Sequence, residues 1–309
     1  ATRARALEAV LREAGQRRRF RSPAGLWAAL HNSAPPPALT WGFLLGDSTV
    51  RDLAFSPAQT RDAWGRGFVN WNARWLVDPQ AQQNHAKRDR IRRWLEAGRV
   101  VLLQETHWST ADSSIWSHLF PAATVIASAA PGGAGGVAII VPSGVSATNY
   151  QEVVPGYAVA ATLGDGRHQI RCVSMYLPPG HRAGILPRIQ RALPVSQLPT
   201  VFGGDVNLQY ASPASGEEEL VWDLITLWAT HGAVATALKG ATRRPDAAGR
   251  GGRRQLDAIA VPAAQTDAWA AHIQWTGHDS DHAAVCATPA HRKGRGSGTM
   301  TAWSMRALP

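Results

Sequence analysis

The sequence predicts an α/β fold in which two β-sheets pack face to face, with helices outside them. Short apolar segments rich in Val and Ile recur along the chain, and several are bounded by Gly, Pro, Asp or Asn, which is typical of strands. Helical patterns lie between only some of these segments, so they are too few to cover every strand as repeated βαβ units would. Grouped strands with helices outside therefore favour a two-sheet α/β sandwich with flanking helices.

Each predicted strand is a short apolar run next to polar or turn-forming residues. The predicted strands are residues 68–69, 100–103, 125–126, 137–141, 159–163, 170–177, 200–202, 258–261 and 283–287. Amphipathic patterns predict helices over residues 84–97 and 217–231. The glycine-rich run at 132–136 precedes a strand pattern and no helix, so we interpret it as a turn and not as a phosphate-binding loop.

Changes in composition divide the chain into three predicted parts. Residues 1–65 combine a basic helical pattern with a proline-rich break, which predicts an N-terminal extension and linker. Residues 66–288 contain the predicted strands, and residues 289–309 form a basic, glycine-containing tail that we expect to be flexible. A solvated basic face without a specific role explains the first segment equally well.

The composition indicates a globular protein with a polyanionic partner. The chain is 45% hydrophobic and 17% charged, and its formal net charge is +10. A positive potential of this size favours binding to nucleic acid or another polyanion. A coding bias toward Arg and Ala is the alternative explanation of the charge.

The cysteines and the apolar runs predict an intracellular protein without a membrane partner. Cys172 and Cys286 each lie within an apolar run, which predicts buried free thiols in a reducing compartment. No apolar run reaches the length of a membrane span, and the N-terminus lacks the apolar stretch of a secretory signal.

Glu105 directly follows the strand predicted at 100–103, and it is a candidate ligand for a divalent cation. Hydrolysis of a negatively charged phosphodiester needs a cation, and Mg²⁺ is usually held by one or two carboxylates together with water. A solvated carboxylate at the end of a strand is the alternative interpretation of Glu105 considered alone.

A second candidate pair lies at the end of the strand predicted at 200–202. Asp205 and Asn207 are two residues apart, so in extended backbone their side chains point the same way. Asp205 can then accept a proton from an attacking water that Asn207 orients. We expect Gly203 and Gly204 to let the backbone approach a ligand closely. A turn that closes the strand is the alternative.

Asp257 and His282 form a third candidate pair, although they are far apart in sequence. Asp257 lies between apolar neighbours and is expected to be partly buried, so it needs a partner. An imidazole that acts as a donor or a base needs a carboxylate to fix its tautomer, which makes His282 the natural partner. The other histidines are interpreted as surface or core residues.

Several short motifs occur in a fixed order along residues 68–288. They are Asn70–Arg74, Leu103–Thr106, Gly135–Ile139, Ser174–Pro178, Gly204–Asn207, Leu256–Ile259 and Ser280–His282. Together they resemble the endonuclease/exonuclease/phosphatase superfamily, and most closely the endonuclease domain of non-LTR (LINE-type) retrotransposons. The resemblance implies a DNase I-like fold for residues 66–288 and a metal-dependent phosphodiesterase.

The resemblance also implies roles for individual residues. Glu105 and Asn72 would hold the metal, and Asp281 would lie near the metal or its water shell. Tyr176 would contact the scissile phosphate. The implied catalytic set is completed by residues that handle water or stabilise the transition state: Asp205, Asn207, Asp257 and His282.

Two departures from the superfamily pattern argue against an abasic-site enzyme. Arg74 stands where those enzymes usually carry an acid. Before Asp257 they carry an aromatic residue, whereas this chain has the basic segment Arg250–Arg254. This segment suits contact with the backbone of normal duplex DNA, so we predict that Arg74, Arg253 and Arg254 bind substrate together with Tyr176 and Asn207.

The expected function is a Mg²⁺-dependent endonuclease, with Mn²⁺ as a substitute, that nicks double-stranded DNA and leaves 3′-hydroxyl and 5′-phosphate ends. The resemblance to retrotransposon enzymes further implies a nuclear location and a reverse transcriptase domain in a longer parent protein. One alternative is a phosphatase of the same superfamily that acts on inositol phosphates or lipids. The other is a catalytically inert domain that only binds nucleic acid.

Overall fold

The computed structural model describes residues 67–77, 81–129, 131–164, 168–210, 213–245, 252–263, 269–275 and 280–290. These residues form two six-stranded sheets with four α-helices, which confirms the predicted two-sheet α/β sandwich. The predicted extension at 1–65 and most of the predicted tail lie outside the described residues. The division into three parts therefore stays a prediction.

The first sheet brings together strands from both ends of the described chain. Its strands are β1 (Phe68–Asn72), β2 (Val100–Gln104), β3 (Thr124–Ser128), β4 (Val137–Val141), β11 (Trp269–Gln274) and β12 (Ala284–Pro289). They lie in the order β11-β12-β1-β2-β4-β3. Because β1 and β2 are parallel and pair Asn72 with Gln104, the polar residues that follow both strands lie at the same edge.

The second sheet places three candidate residues side by side. Its strands are β5 (Ala147–Val154), β6 (Ala158–Leu163), β7 (Ile170–Tyr176), β8 (Thr200–Asp205), β9 (Ala233–Ala235) and β10 (Asp257–Pro262). They lie in the order β5-β6-β7-β8-β10-β9. Asp205 pairs with Tyr176 on β7 and with Asp257 on β10, so these three residues form one row across the sheet.

Four helices are present among the described residues: α1 (Gln82–Glu96), α2 (Thr110–Leu119), α3 (Arg182–Ala192) and α4 (Glu218–Thr230). The predictions at 84–97 and 217–231 are confirmed by α1 and α4, whereas α2 and α3 were not predicted. None of the helices in the described ranges is long and apolar enough to cross a membrane.

The core consists of three apolar layers. One lies between the sheets and includes Leu102 and Ile259. The second lies on the outer side of the first sheet, where Trp71 and Trp94 meet edge to face at 5.3 Å between ring centroids. The third lies outside the second sheet and includes Leu224 on α4. Since both faces of β1 and β2 are covered, every residue of these strands is buried.

A small polar network connects the two sheets behind the candidate residues. Gln104 Nε2 donates to Asn70 Oδ1 at 2.8 Å and to Ser174 Oγ at 3.1 Å, and Asn70 Nδ2 donates to the carbonyl of Gly204 at 3.2 Å. A Cβ on Gly203 would lie 2.8 Å from Asn70 Oδ1. The prediction that the glycine pair allows close approach to a ligand was therefore wrong, because the protein itself fills this space: Gly203 meets the first sheet, and Gly204 meets Met175 on the neighbouring strand β7.

Replacing Gly204 by Ala is expected to destabilise the protein by about 1–3 kcal/mol, because the added Cβ would lie 2.7 Å from the carbonyl oxygen of Met175. A matched control is Gly184→Ala in α3, where a Cβ meets nothing within 4 Å, so stability should rise by up to about 1 kcal/mol. Urea unfolding of the two variants measures the difference. Equal stability of the two variants would contradict the close contact between Gly204 and Met175.

Candidate active site

The candidate residues meet at one edge of the sandwich, where β1, β2, β7 and β8 end and β10 begins. A hydrogen bond of 2.8 Å from Asn72 Nδ2 to Asp205 Oδ2 links the two sheets here. The side chain of Ser280, just before β12, donates to the carbonyl of Asn72 at 2.8 Å and accepts from the backbone N–H of His282 at 3.1 Å. Ser280 therefore fixes the segment that carries His282 against β1.

Asp205 is wholly buried at the centre of this cluster. Its Oδ1 accepts a hydrogen bond from the backbone N–H of Asn207 at 3.1 Å, and its Oδ2 lies 4.0 Å from His282 Nε2. Burial raises the pKa of Asp205 to about 7, even though the positive charge of His282 acts in the opposite direction. A carboxylate with a pKa near neutrality is suited to accept a proton from water.

His282 and Asp257 form the contact expected from the sequence. His282 Nδ1 lies 2.9 Å from Asp257 Oδ2, and both side chains are buried. Burial lowers the pKa of His282, but the negative charges of Asp257 and Asp205 outweigh this effect and raise it to about 10. His282 is therefore protonated at neutral pH, with its Nε2–H on the side of Asp205.

Glu105 lies beside this cluster, and its carboxylate is ionised. Burial raises the pKa of Glu105, but the nearby polar side chains of His107, Tyr176 and Asn72 and the positive charge of His282 outweigh burial and lower it to about 2. Burial and the charge of Glu105 raise the pKa of Tyr176 well above its ordinary value. Tyr176 therefore stays protonated as a neutral hydrogen-bond donor.

The backbone at two of these positions is in the left-handed region. Glu105 has φ of 48° and Asn207 has φ of 49°, each just after the strand that carries it. Such a conformation costs a non-glycine residue about 1–3 kcal/mol and occurs most often at functional sites. Asn207 is further held by a hydrogen bond from its Nδ2 to the carbonyl of Leu177 at 3.1 Å. In this structure Asn207 thus positions Asp205, and its role toward water stays a prediction.

Asp281 contacts two arginines. Its Oδ2 lies 3.1 Å from Arg74 Nη1 and 3.3 Å from Arg243 Nε. Its Oδ1 is buried and has no hydrogen-bond partner among the described residues. The predicted role of Asp281 near a metal stays a prediction, and Oδ1 is the atom left for it.

The basic residues before Asp257 lie close to the cluster. Arg254 and Arg243 form a β-bridge, and Arg243 forms a second bridge with His282. Arg253 and Arg254 are exposed, which agrees with the predicted contact with substrate but does not test it. Residues 246–251, which include Arg250, lie outside the described residues. In the sequence Arg243 stands out only as the start of the Arg-rich segment 243–254, because its proximity to His282 depends on the bridge.

Two aromatic residues beside Glu105 were not singled out in the sequence. His107, interpreted there as a surface or core residue, has its Nε2 3.9 Å from Glu105 Oε2. The ring of His107 stacks on Trp75, with 3.9 Å between ring centroids and 1° between ring planes. Neither contact follows a sequence pattern, because it depends on left-handed backbone at Trp75, Glu105 and His107.

Comparison with known proteins identifies the family to which this arrangement belongs. Residues 69–282, which make up more than half of the chain, match the model of the endonuclease/exonuclease/phosphatase family. The chain belongs to this family. No curated protein matches the sequence.

Solved structures with the fold of this family include several nucleases. The endonuclease domain of TRAS1, a telomere-specific non-LTR retrotransposon, is 19% identical with a TM-score of 0.52, and the match covers 71% of this chain and 95% of that domain. The AP endonuclease LMAP from Leishmania major is 13% identical with a TM-score of 0.55, and the match covers 79% and 99% of the two chains. The 3′ phosphatase NExo from Neisseria, bound to product DNA hairpin, is 15% identical with a TM-score of 0.53, covering 73% and 99%. The predicted resemblance is confirmed.

The side chains of this family member fit a divalent cation. Glu105 offers an ionised carboxylate that is partly accessible, and Asn72 lies next to it. Ligand atoms of Asp205, Asp257 and His282 also lie within 4.8 Å of one another. A protonated imidazole cannot coordinate a cation, however, so we consider Glu105 the better anchor. Buried Oδ1 atoms without hydrogen-bond partners among the described residues remain on Asp257 and Asp281.

Replacing Asp257 by Asn is expected to lower the rate of phosphodiester hydrolysis by about 10²-fold and to change its pH dependence. Asp257 raises the pKa of His282, so its loss makes His282 release its proton at lower pH. In the wild type, activity should fall as His282 loses its proton near pH 10. In Asp257→Asn this fall should occur at lower pH. A rate profile between pH 6 and 10.5 measures the shift. An unshifted profile would show that His282 does not act as a cation.

Proposed function

We propose that this member of the endonuclease/exonuclease/phosphatase family is a Mg²⁺-dependent endonuclease that nicks double-stranded DNA. The observation that carries the proposal is the pairing of Asp205, a buried base with a pKa near 7, with a protonated His282 whose Nε2 lies 4.0 Å away. Attack by water on a phosphodiester requires a group that accepts a proton and a cationic group beside it.

Each residue of the site has a distinct role in the proposed reaction. Asp205 accepts the proton of the attacking water, while the backbone N–H of Asn207 holds the carboxylate in place. His282, oriented by Asp257, stabilises the negative charge that develops on the phosphate oxygens. The hydroxyl of Tyr176 donates a hydrogen bond to the same phosphate. Glu105 and Asn72 would hold Mg²⁺, which neutralises the phosphate and polarises phosphorus when it is bound.

The charges around the site favour nucleic acid over a lipid or an inositol phosphate. Arg74 and Arg243 lie at the edge of the cluster, and Arg253 and Arg254 are exposed on the neighbouring bridge. Arginines along one side of a site bind successive phosphates of a nucleic acid backbone. A solved relative, the 3′ phosphatase NExo, is bound to a DNA hairpin, which makes DNA the first substrate to test.

Incubation of the full chain with supercoiled plasmid in Mg²⁺ tests the proposal. We expect conversion to open circles in Mg²⁺ or Mn²⁺ and no conversion in EDTA. DNA ligase should then reseal the circles without prior end treatment, because ligation requires adjacent 3′-hydroxyl and 5′-phosphate ends. Nicks that cannot be resealed would contradict the proposed products.

The same preparation distinguishes the two alternatives. Release of phosphate from a phosphoinositide, without cleavage of any DNA, would indicate the phosphatase branch of the family. Salt-sensitive DNA binding without turnover of either substrate would indicate an inert binding domain.

A further inference from the structure

Trp75 is an exposed tryptophan held on a rigid backbone. Its side chain is 54% exposed, whereas Trp71, Trp108 and Trp116 are wholly buried. The backbone N–H of Trp75 donates to the carbonyl of Glu105 at 2.9 Å, and its carbonyl accepts from Lys87 Nζ at 3.3 Å. With φ of 60°, Trp75 also adopts left-handed backbone, which is rare for a bulky residue.

One face of the Trp75 indole is covered by His107. The two rings are parallel within 1° and stack at 3.9 Å between centroids. His107 is itself fixed, because its Nδ1 lies 2.6 Å from the carbonyl oxygen of Gly133. A carbonyl oxygen only accepts, so Nδ1 carries a proton. With one face on His107, the exposed part of the indole is its other face and its edge.

This stacked pair adjoins the proposed catalytic residues. His107 Nε2 lies 3.9 Å from the carboxylate of Glu105, and Arg74, the residue before Trp75, is paired with Asp281. A planar group lying on the free face of Trp75 would be separated by one ring from His107, which itself lies beside Glu105. An incidental surface aromatic would need neither a fixed stacking partner nor a strained backbone.

We propose that Trp75, backed by His107, is a stacking platform for a nucleobase adjacent to the phosphodiester that is cut. The proposal rests on the function proposed above and names a feature of its substrate. Every nucleobase has a flat π-face, so such a platform strengthens binding with little preference for sequence. Both faces of a base inside a duplex are already covered, so the base on Trp75 must be unstacked from one neighbour by local opening or deformation of the DNA.

Binding of DNA by the full chain in Mg²⁺ tests the platform, with Asp205→Asn present in every variant so that the DNA stays intact. The probes are fluorescein-labelled duplexes in which one abasic residue replaces each nucleotide in turn around the mapped cut. At one position the abasic residue should weaken binding roughly 5- to 100-fold when Trp75 is present. Trp75→Leu keeps an apolar side chain but lacks a π-face, so in this variant the same abasic residue should weaken binding by less than about twofold.

Two further variants separate stacking from a structural role. Trp75→Phe should restore the position-dependent loss, because Phe also presents a π-face. Tyr150→Leu removes another exposed aromatic residue, on edge strand β5, and should leave the abasic profile unchanged. Thermal unfolding of each variant shows whether Trp75→Leu folds as the parent does. If Trp75→Leu does not fold, Trp75→Phe decides: its smaller π-face should reduce the loss at that nucleotide without abolishing it, and a loss equal to the parent's at every position would overturn the platform.

Several outcomes would overturn the platform. An abasic profile that is the same for Trp75 and Trp75→Leu would do so, even if plasmid nicking by the wild-type chain upholds the proposed function. Loss of binding to phosphoinositide vesicles in Trp75→Leu, with unchanged binding to DNA, would assign the tryptophan to a lipid surface instead. Absence of both DNA binding and nicking would refute the function and the platform together.

Discussion

Replacing Asp205 by Asn is expected to lower the rate of DNA cleavage by about 10²- to 10⁴-fold. The amide has nearly the shape of the carboxylate and can still accept a hydrogen bond from the backbone N–H of Asn207, but it cannot take a proton from water. It also removes the negative charge that faces His282 Nε2 at 4.0 Å. Single-turnover cleavage of a labelled duplex measures the loss directly.

A stability measurement separates this catalytic effect from misfolding. Burial raises the pKa of Asp205 to about 7, so the ionised form is destabilised by its surroundings at higher pH. The folded-state pKa is above that of an unfolded Asp, so ionisation costs stability as pH rises from about 4 through 7. At pH 8 the Asp205→Asn variant removes this cost but loses one of the two hydrogen bonds that Asp205 accepts from Asn72 and Asn207, so its melting temperature should stay close to that of the wild type. A variant that is both less stable and still active would contradict the assignment.

Replacing Glu105 by Gln is expected to have the second-largest effect. Glu105 is ionised with a pKa of about 2 and is the carboxylate best placed for a cation. Loss of its charge should raise the Mg²⁺ concentration needed for half-maximal cleavage by at least about tenfold and lower the rate at fixed Mg²⁺ by about 10²-fold.

Calorimetric titration of Mn²⁺ into the free protein gives a readout that is independent of cleavage. Glu96→Gln, at the exposed end of α1, is the matched control and should titrate as the wild type does. Unchanged Mn²⁺ binding by Glu105→Gln would move the cation to another position, such as the cluster of Asp205, Asp257 and His282.

The sequence predicted the interior strands and one edge strand, β3, and missed the other three edge strands. β1 and β2 are buried along their whole length, so each is a short apolar run. The three strands that were not predicted, β5, β9 and β11, are all edge strands in the described sheets. An edge strand leaves part of its surface to solvent, and β5 accordingly contains exposed polar residues in its first half.

The missed helices have weak sequence patterns for identifiable reasons. α2 begins with a capping box between Ser109 and Asp112, but Trp116 is its one wholly buried side chain. A single large ring thus replaces the repeated apolar stripe that would indicate a helix. α3 contains Pro187, which argues against a helix when only the sequence is read.

The candidate site was predictable where it follows strands and hidden where it depends on unusual backbone. Asp205 and Asp257 end or begin strands, so sheet pairing alone brings them together. His107 and Trp75 reach the site through left-handed backbone at residues that are not glycine, which no sequence pattern indicates. The contact of Gly204 with Met175 was equally hidden, because it depends on how neighbouring strands β7 and β8 pair.

Cleavage of supercoiled plasmid by the full wild-type chain and by Asp205→Asn, each in Mg²⁺ and in EDTA, tests the proposed site most directly. We expect open circles only for the wild type in Mg²⁺, with the equally folded variant at least about 10²-fold slower at the same concentration. Cleavage by Asp205→Asn at the wild-type rate, or cleavage by the wild type that persists in EDTA, would contradict the claim that these strand-end residues form one metal-dependent hydrolytic site.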